Sequence, residues 1–129
     1  MANTVTQRTL LGSGRDKTIV RLIHIVSDGT EESDLVVYDN STLVNDITKG
    51  RLTEVWASGN SCVARLEWDQ TTDAPIMSID PSTGRHWNFT SFGGITNPAG
   101  TGATGDILLT TNNLDSGDEM TLILKICQN

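Results

Sequence analysis

Two histidines, two cysteines and a surplus of carboxylates are the groups in this sequence with chemistry to offer. A nucleophile needs a base beside it and a third group to orient that base. The only imidazoles are His24 and His86. His24 lies inside the most apolar stretch, residues 19–26, which marks it as a hydrogen-bonded core or interface residue. His86 stands beside Trp87 on a strand-like run. No serine occupies the sharp turn of a nucleophile elbow. Cys62 beside His86 and an aspartate has no local pattern to mark it. No catalytic residues are therefore expected. Two cysteines, Cys62 and Cys127, are too few for a disulfide framework or a four-ligand zinc site. They read as reduced core thiols, with a single bridge as the alternative.

Other constellations fail on spacing. Residues 11–18 (LGSGRDKT) end in Lys-Thr as a phosphate loop does. Asp16 stands where that loop needs glycine, and a strand follows instead of a helix. Gly93, Gly94, Gly100, Gly102 and Gly105 crowd one segment, but no helix starts after it to aim its amides at a phosphate. Acidic groups gather at Asp28, Glu31, Glu32 and Asp34, and again at Asp115, Asp118 and Glu119. Neither set fits the helix-flanked calcium loop, so both read as solvated tips or as a face for a basic partner. Nothing selects a carboxylate pair for glycoside hydrolysis. No metal and no cofactor are expected. Trp87 and Phe89 share a strand face, with Phe92 following; core packing is the default and a sugar-stacking platform the alternative.

The elements that must carry these residues are short β-type runs between turn signals. Residues 17–27 form the longest, with Val20, Leu22 and Val26 on one face and Ile19, Ile23 and Ile25 on the other. Residues 34–39 are a second, with Leu35, Val37 and also Val36 as candidates for burial. Residues 51–58 and 62–69 read as a hairpin about Gly59-Asn60, with Cys62, Ala64, Leu66 and Trp68 inward and Trp56 and Trp68 as core anchors. Residues 75–80 and 85–90 read as a hairpin about Pro81 and Gly84. Residues 105–111 and 119–128 make the last pair, with Met120, Leu122, Leu124 and Ile126 inward. The one helical signal is a short turn over residues 40–46, capped by Asn40 or Ser41. The expected fold is all-β: an antiparallel β-sandwich of about eight strands, a jelly roll, with a small closed barrel as the alternative. Residues 1–16 stand apart as an N-terminal arm or a ninth, edge strand, and 17–129 form the single domain.

Nine Lys+Arg against sixteen Asp+Glu give a net charge of −7. Nucleic-acid backbones and anionic membranes select for the opposite sign, so neither is an expected partner. No secretory start is visible, and the apolar stretch at residues 19–26 is too short and too interrupted to cross a membrane.

Six segments, in order along most of the chain, together resemble small virion structural proteins of tailed bacteriophages, notably marine ones. They are residues 4–11 (TVTQRTLL), 27–32 (SDGTEE), 52–56 (LTEVW), 65–69 (RLEWD), 89–94 (FTSFGG) and 102–111 (GATGDILLTT). The resemblance implies a late, non-enzymatic protein built into the virion: a capsid decoration or cement protein on the capsid surface, assembled in the host cytoplasm. Its implied partners are the major capsid protein, neighbouring virion subunits and further copies of itself. A tail, neck or fibre component with a receptor- or glycan-binding role is the alternative. Cementing needs a rigid module, an extended arm and adaptable loops, each contact adding to the avidity of many. The candidate contact residues are accordingly Thr4, Val5, Arg8, Leu10, Leu11 and Arg15 in the arm, and Gly93, Gly94 and Ile95 in the glycine-rich loop.

Overall fold

The computed structural model describes residues 3–11, 18–39 and 50–128. Among these residues ten strands run in chain order: β1 (Thr4–Leu11), β2 (Thr18–Val26), β3 (Leu35–Tyr38), β4 (Gly50–Gly59), β5 (Val63–Trp68), β6 (Ala74–Ile79), β7 (His86–Asn88), β8 (Ile95–Thr96), β9 (Ile107–Asn112) and β10 (Glu119–Gln128). They make two antiparallel sheets. One runs β1-β2-β10-β4-β7, with β8 also paired to β4; the other runs β3-β9-β5-β6.

Alternation of apolar residues decides which face of each strand turns inward. Ile19, Ile23 and Ile25 of β2, Leu52, Val55 and Ala57 of β4, and Met120, Leu122, Leu124 and Ile126 of β10 are buried on one side of the core. Val37 and Tyr38 of β3, Ala64, Leu66 and Trp68 of β5, Ile79, Ile107 and Leu109 meet them from the other sheet. Each large apolar side chain so buried contributes about 1.5–3 kcal/mol, set against about 1–2 kcal/mol for fixing each residue's backbone.

The eight strands expected after residue 17 are all present, and their order is that of a jelly roll. No strand pairing joins the two sheets among the described residues, so the sandwich is not a closed barrel. Two expected hairpins and the last expected pair are corrected. β4 and β5 lie in opposite sheets, as do β6 and β7, and β9 and β10. Turn residues mark a reversal of direction, and a chain that crosses the core at a corner reverses just as a hairpin does. β5 and β6 form a hairpin through residues 69–73. A second correction concerns Trp56. Its neighbours Val55 and Ala57 are buried, so Trp56 faces outward and is only half-buried. In β3 a bulge between Val36 and Tyr38 turns Val37 and Tyr38 both inward and leaves Val36 40% exposed. The helical turn expected at residues 40–46 lies outside the described residues.

β1 takes the edge-strand alternative. Thr4 pairs with Val26 and the register runs to Leu11 opposite Val20, with a bulge at Leu10. Arg21 ties this edge to the other sheet: its guanidinium donates to Gln7 Oε1 and Thr9 Oγ1 on β1 and to the Val37 carbonyl on β3.

Candidate binding surfaces

The contact residues expected from sequence fall at opposite edges of the six-stranded sheet. Thr4, Val5, Arg8, Leu10 and Leu11 lie on β1, at one edge. Val5 turns inward against the core, whereas Thr4, Arg8 and Leu10 are exposed, Leu10 by 43%. The side of β1 away from β2 has no strand partner among the described residues. Arg15 lies outside the described residues. Gly93, Gly94 and Ile95 lie at the far edge, against β4.

That second group is built into the fold. Gly94 is buried with φ +98°, and a Cβ there would press on the Leu52 carbonyl at 3.1 Å and on Thr53 Cγ2 at 3.0 Å. Ile95 then pairs with Leu52 and packs on the core. These residues lay β8 onto β4. For the aromatics the default reading, core packing, describes two of the three. Trp87 and Phe89 pack against the core, and only Phe92, 66% exposed, stands out from it.

Register assembles a different surface on the outer face of the six-stranded sheet. Arg8, Leu22, Ile123, Trp56 and His86 line up as cross-strand neighbours over β1, β2, β10, β4 and β7. Leu22, Ile123 and Trp56 are half-buried, and His86 is exposed. The Trp56 and His86 rings are parallel to within 1°, with centroids 4.5 Å apart. They line a cleft of about 250 Å³ with Ser58, Arg85, Thr121 and Ile123. One flanking row reads Thr6, His24, Thr121 and Ser58; the other reads Val20, Lys125, Glu54 and Asn88.

Glu54 organises the charged row. Its carboxylate accepts from His86 Nε2 at 2.8 Å and from Lys125 Nζ at 3.0 Å, with its side chain only 12% exposed. The bond from Lys125, helped by the one from His86, holds the Glu54 carboxyl below the usual carboxylate range against the opposing cost of burial. The same bond holds the Lys125 ammonium above its usual range. Arg85 lies 5.6 Å over the Trp87 ring, a cation–π contact.

The imidazoles do not assemble a catalytic centre. His24 Nδ1 lies 2.9 Å from Thr121 Oγ1, and its Nε2 lies 3.2 Å from Glu119. Hydroxyl, imidazole and carboxylate in that order resemble a triad. They stand on β2 and β10, each paired on both sides, so the ladders consume the backbone amides that would have to hold an oxyanion. Cys62 is buried away from solvent, and desolvation pushes its thiol up to about 11, the opposite of an activated nucleophile. Cys62 and Cys127 are both free thiols.

The acidic residues singled out in the sequence mostly serve turns. Glu31 accepts from Thr111 Oγ1 and the Leu114 amide, and Asp118 from the Asp115 amide. Asp28 is held below the usual range by the Thr30 hydroxyl, and Asp80 by Ser82. Asp34 joins the carboxylates of Glu67 and Asp73, with the oxygens within 4.8 Å of one another. Each has a protein donor of its own in Thr110, Arg65 and the Gln70 amide respectively.

No protein-family model matches the chain, and no curated protein matches it in sequence. Among solved structures, one described as "CBM4 structure and function" matches with a TM-score of 0.32 and 13% identity, over 83% of this chain and 78% of that one. A likeness of that order carries no argument about what this chain binds.

Proposed function

We propose that this chain is a non-enzymatic structural protein of a virus particle, a decoration protein that seats on a shell of major capsid protein through the open edge of β1. One observation carries the reading: an eight-residue strand whose outer side has no strand partner among the described residues, presenting Arg8 and Leu10 to solvent at the rim of the sandwich. An exposed edge of this kind accepts a strand from a partner, with main-chain hydrogen bonds for affinity and alternate side chains for specificity. Arg8 places a cation at this edge of a chain of net charge −7. The ordered resemblance of six segments to small virion proteins of tailed phages supports the same reading.

The test is copy number and edge dependence. Purified particles are expected to carry this chain at a number comparable to the shell subunit. Arg8→Glu with Leu10→Asp should fold normally, since both side chains are exposed, and should lose binding to particles stripped of the native protein. A few copies per particle, or undiminished binding of the double variant, overturns the proposal.

A further inference from the structure

We propose that the outer face of the six-stranded sheet is a binding track for a neutral, extended saccharide, running across the strands from Leu22 through Ile123 to the Trp56–His86 pair. The inference does not rest on the particle reading and uses residues apart from the edge of β1.

The track has the cross-section of a sugar chain. A pyranose carries C–H groups on its faces and hydroxyls around its rim. It therefore suits an apolar strip one side chain wide between two polar rows. Strands lie about 4.8 Å apart, so the strip from Leu22 to His86 is about 14 Å long. The next residues on the same face of each strand lie about 7 Å to either side. On one side these are His24, Thr121 and Ser58; on the other they are Lys125, Glu54 and Asn88. Both rows offer donors and acceptors at the height of a sugar's rim.

The alternative occupant, a protein surface, fits worse. The apolar strip covers on the order of 100 Å², against the roughly 800 Å² per partner of a stable protein interface. A protein large enough to dock there would have to bury the Glu54–Lys125 pair and the imidazoles beside it, at a desolvation cost that the narrow strip does not offset.

Charge selects among saccharides. Lys125 and His86 are already committed to Glu54, and Arg85 lies over Trp87. With Lys125 and Arg85 so engaged and a chain charge of −7, an anionic polysaccharide gains no counterion and meets repulsion. A neutral chain meets groups that are held in place before it arrives, which lowers the ordering cost of binding. Glu54 keeps lone pairs free beyond its two bonds, and Lys125 keeps N–H groups free, so both still have capacity for hydroxyls.

The probes are cellohexaose, laminarihexaose and xylohexaose as neutral chains, with hexagalacturonate as the anionic comparison. Tryptophan fluorescence and calorimetry read the binding. At least one neutral hexasaccharide should bind and quench the emission, while hexagalacturonate gives no signal. Trp56→Ala should weaken that binding by roughly tenfold or more, because it removes the largest apolar side chain of the strip and the ring on which His86 rests. Phe92→Ala should leave it unchanged. Because Trp56→Ala also removes buried area, Trp56→Tyr provides a second readout: it keeps a ring at the site and should retain most of the affinity. No heat or quench with any neutral probe, preferential binding of hexagalacturonate, or equal affinity of Trp56→Ala overturns the proposal. Loss of particle binding by Trp56→Ala without any sugar binding overturns it as well, and assigns the face to a protein contact.

Discussion

Gly59 is the residue at which the chain leaves one sheet for the other, and its substitution gives a sharp test of how the two are joined. It has φ +131°, a region that side chains rarely adopt, and it faces Met120 at the end of the β4–β10 ladder. A Cβ there would overlap the Glu119 carbonyl oxygen and lie 2.7 Å from Met120 Cα. Backbone atoms cannot rotate aside, so β10 must retreat. Its retreat breaks two bonds at the corner, from the Asn60 amide to the Glu119 carbonyl at 2.8 Å and from the Glu119 amide to Asn60 Oδ1 at 2.9 Å. Backbone strain costs about 1–3 kcal/mol and each hydrogen bond about 1 kcal/mol. Gly59→Ala should therefore lose about 3–5 kcal/mol. Gly84 is the control: φ is +58° and nothing lies within 4 Å of an added Cβ. Gly84→Ala should lose only the left-handed penalty, about 1–2 kcal/mol. Urea unfolding measures both, with a lower midpoint and an unchanged slope expected for each. Equal losses at the two positions would refute the steric account of the corner.

Two further outcomes follow from the titratable groups. The Glu54 carboxyl is held below its ordinary 4.5, so its contribution is present above that pH and is lost as pH falls through the lowered value. Lys125 is held above its ordinary 10.5, so its share is complete below that pH and fades above it. Glu54→Gln should thus be less stable than the natural protein by about 1 kcal/mol near neutrality, with the gap closing in acid; a gap unchanged at pH 3 would contradict the assignment. For the thiols, a Cys127→Ser variant should react with a disulfide reagent at pH 8 only as fast as the protein unfolds, because Cys62 is buried and its thiol lies at about 11. Immediate labelling would show that Cys62 is accessible.

Strands and their inward faces were legible in the sequence because burial writes itself as alternation. Met120, Leu122, Leu124 and Ile126 are all buried, as are Cys62, Ala64, Leu66 and Trp68. Pairing was less legible. Gly59-Asn60 signals that the chain turns back, but the same dihedral freedom serves a hairpin and a corner across the core. Which strand β4 then meets depends on β10, far away in sequence. The outward track was half visible. Val55 and Ala57 on either side of Trp56 imply that its ring points away from them, but the habit of burying tryptophan outweighed that parity. The Glu54 network was hidden by the bulge between β4 and β10, which shifts the register between Leu52 and Glu54. Nothing in the local sequence announces that extra residue, and Lys125 and His86 come from distant strands.

Because most connections of the jelly roll cross between its sheets, neighbours in the chain are seldom neighbours in space. Chains dominated by such distant pairings gain little until many loops have closed at once, and they fold on the order of milliseconds to seconds. A fragment ending before β9 would hold Ile23 and Leu66 but lack the two strands, β10 and β9, that pair with theirs. Recognition of the finished sandwich therefore waits until β10 has paired with both β2 and β4.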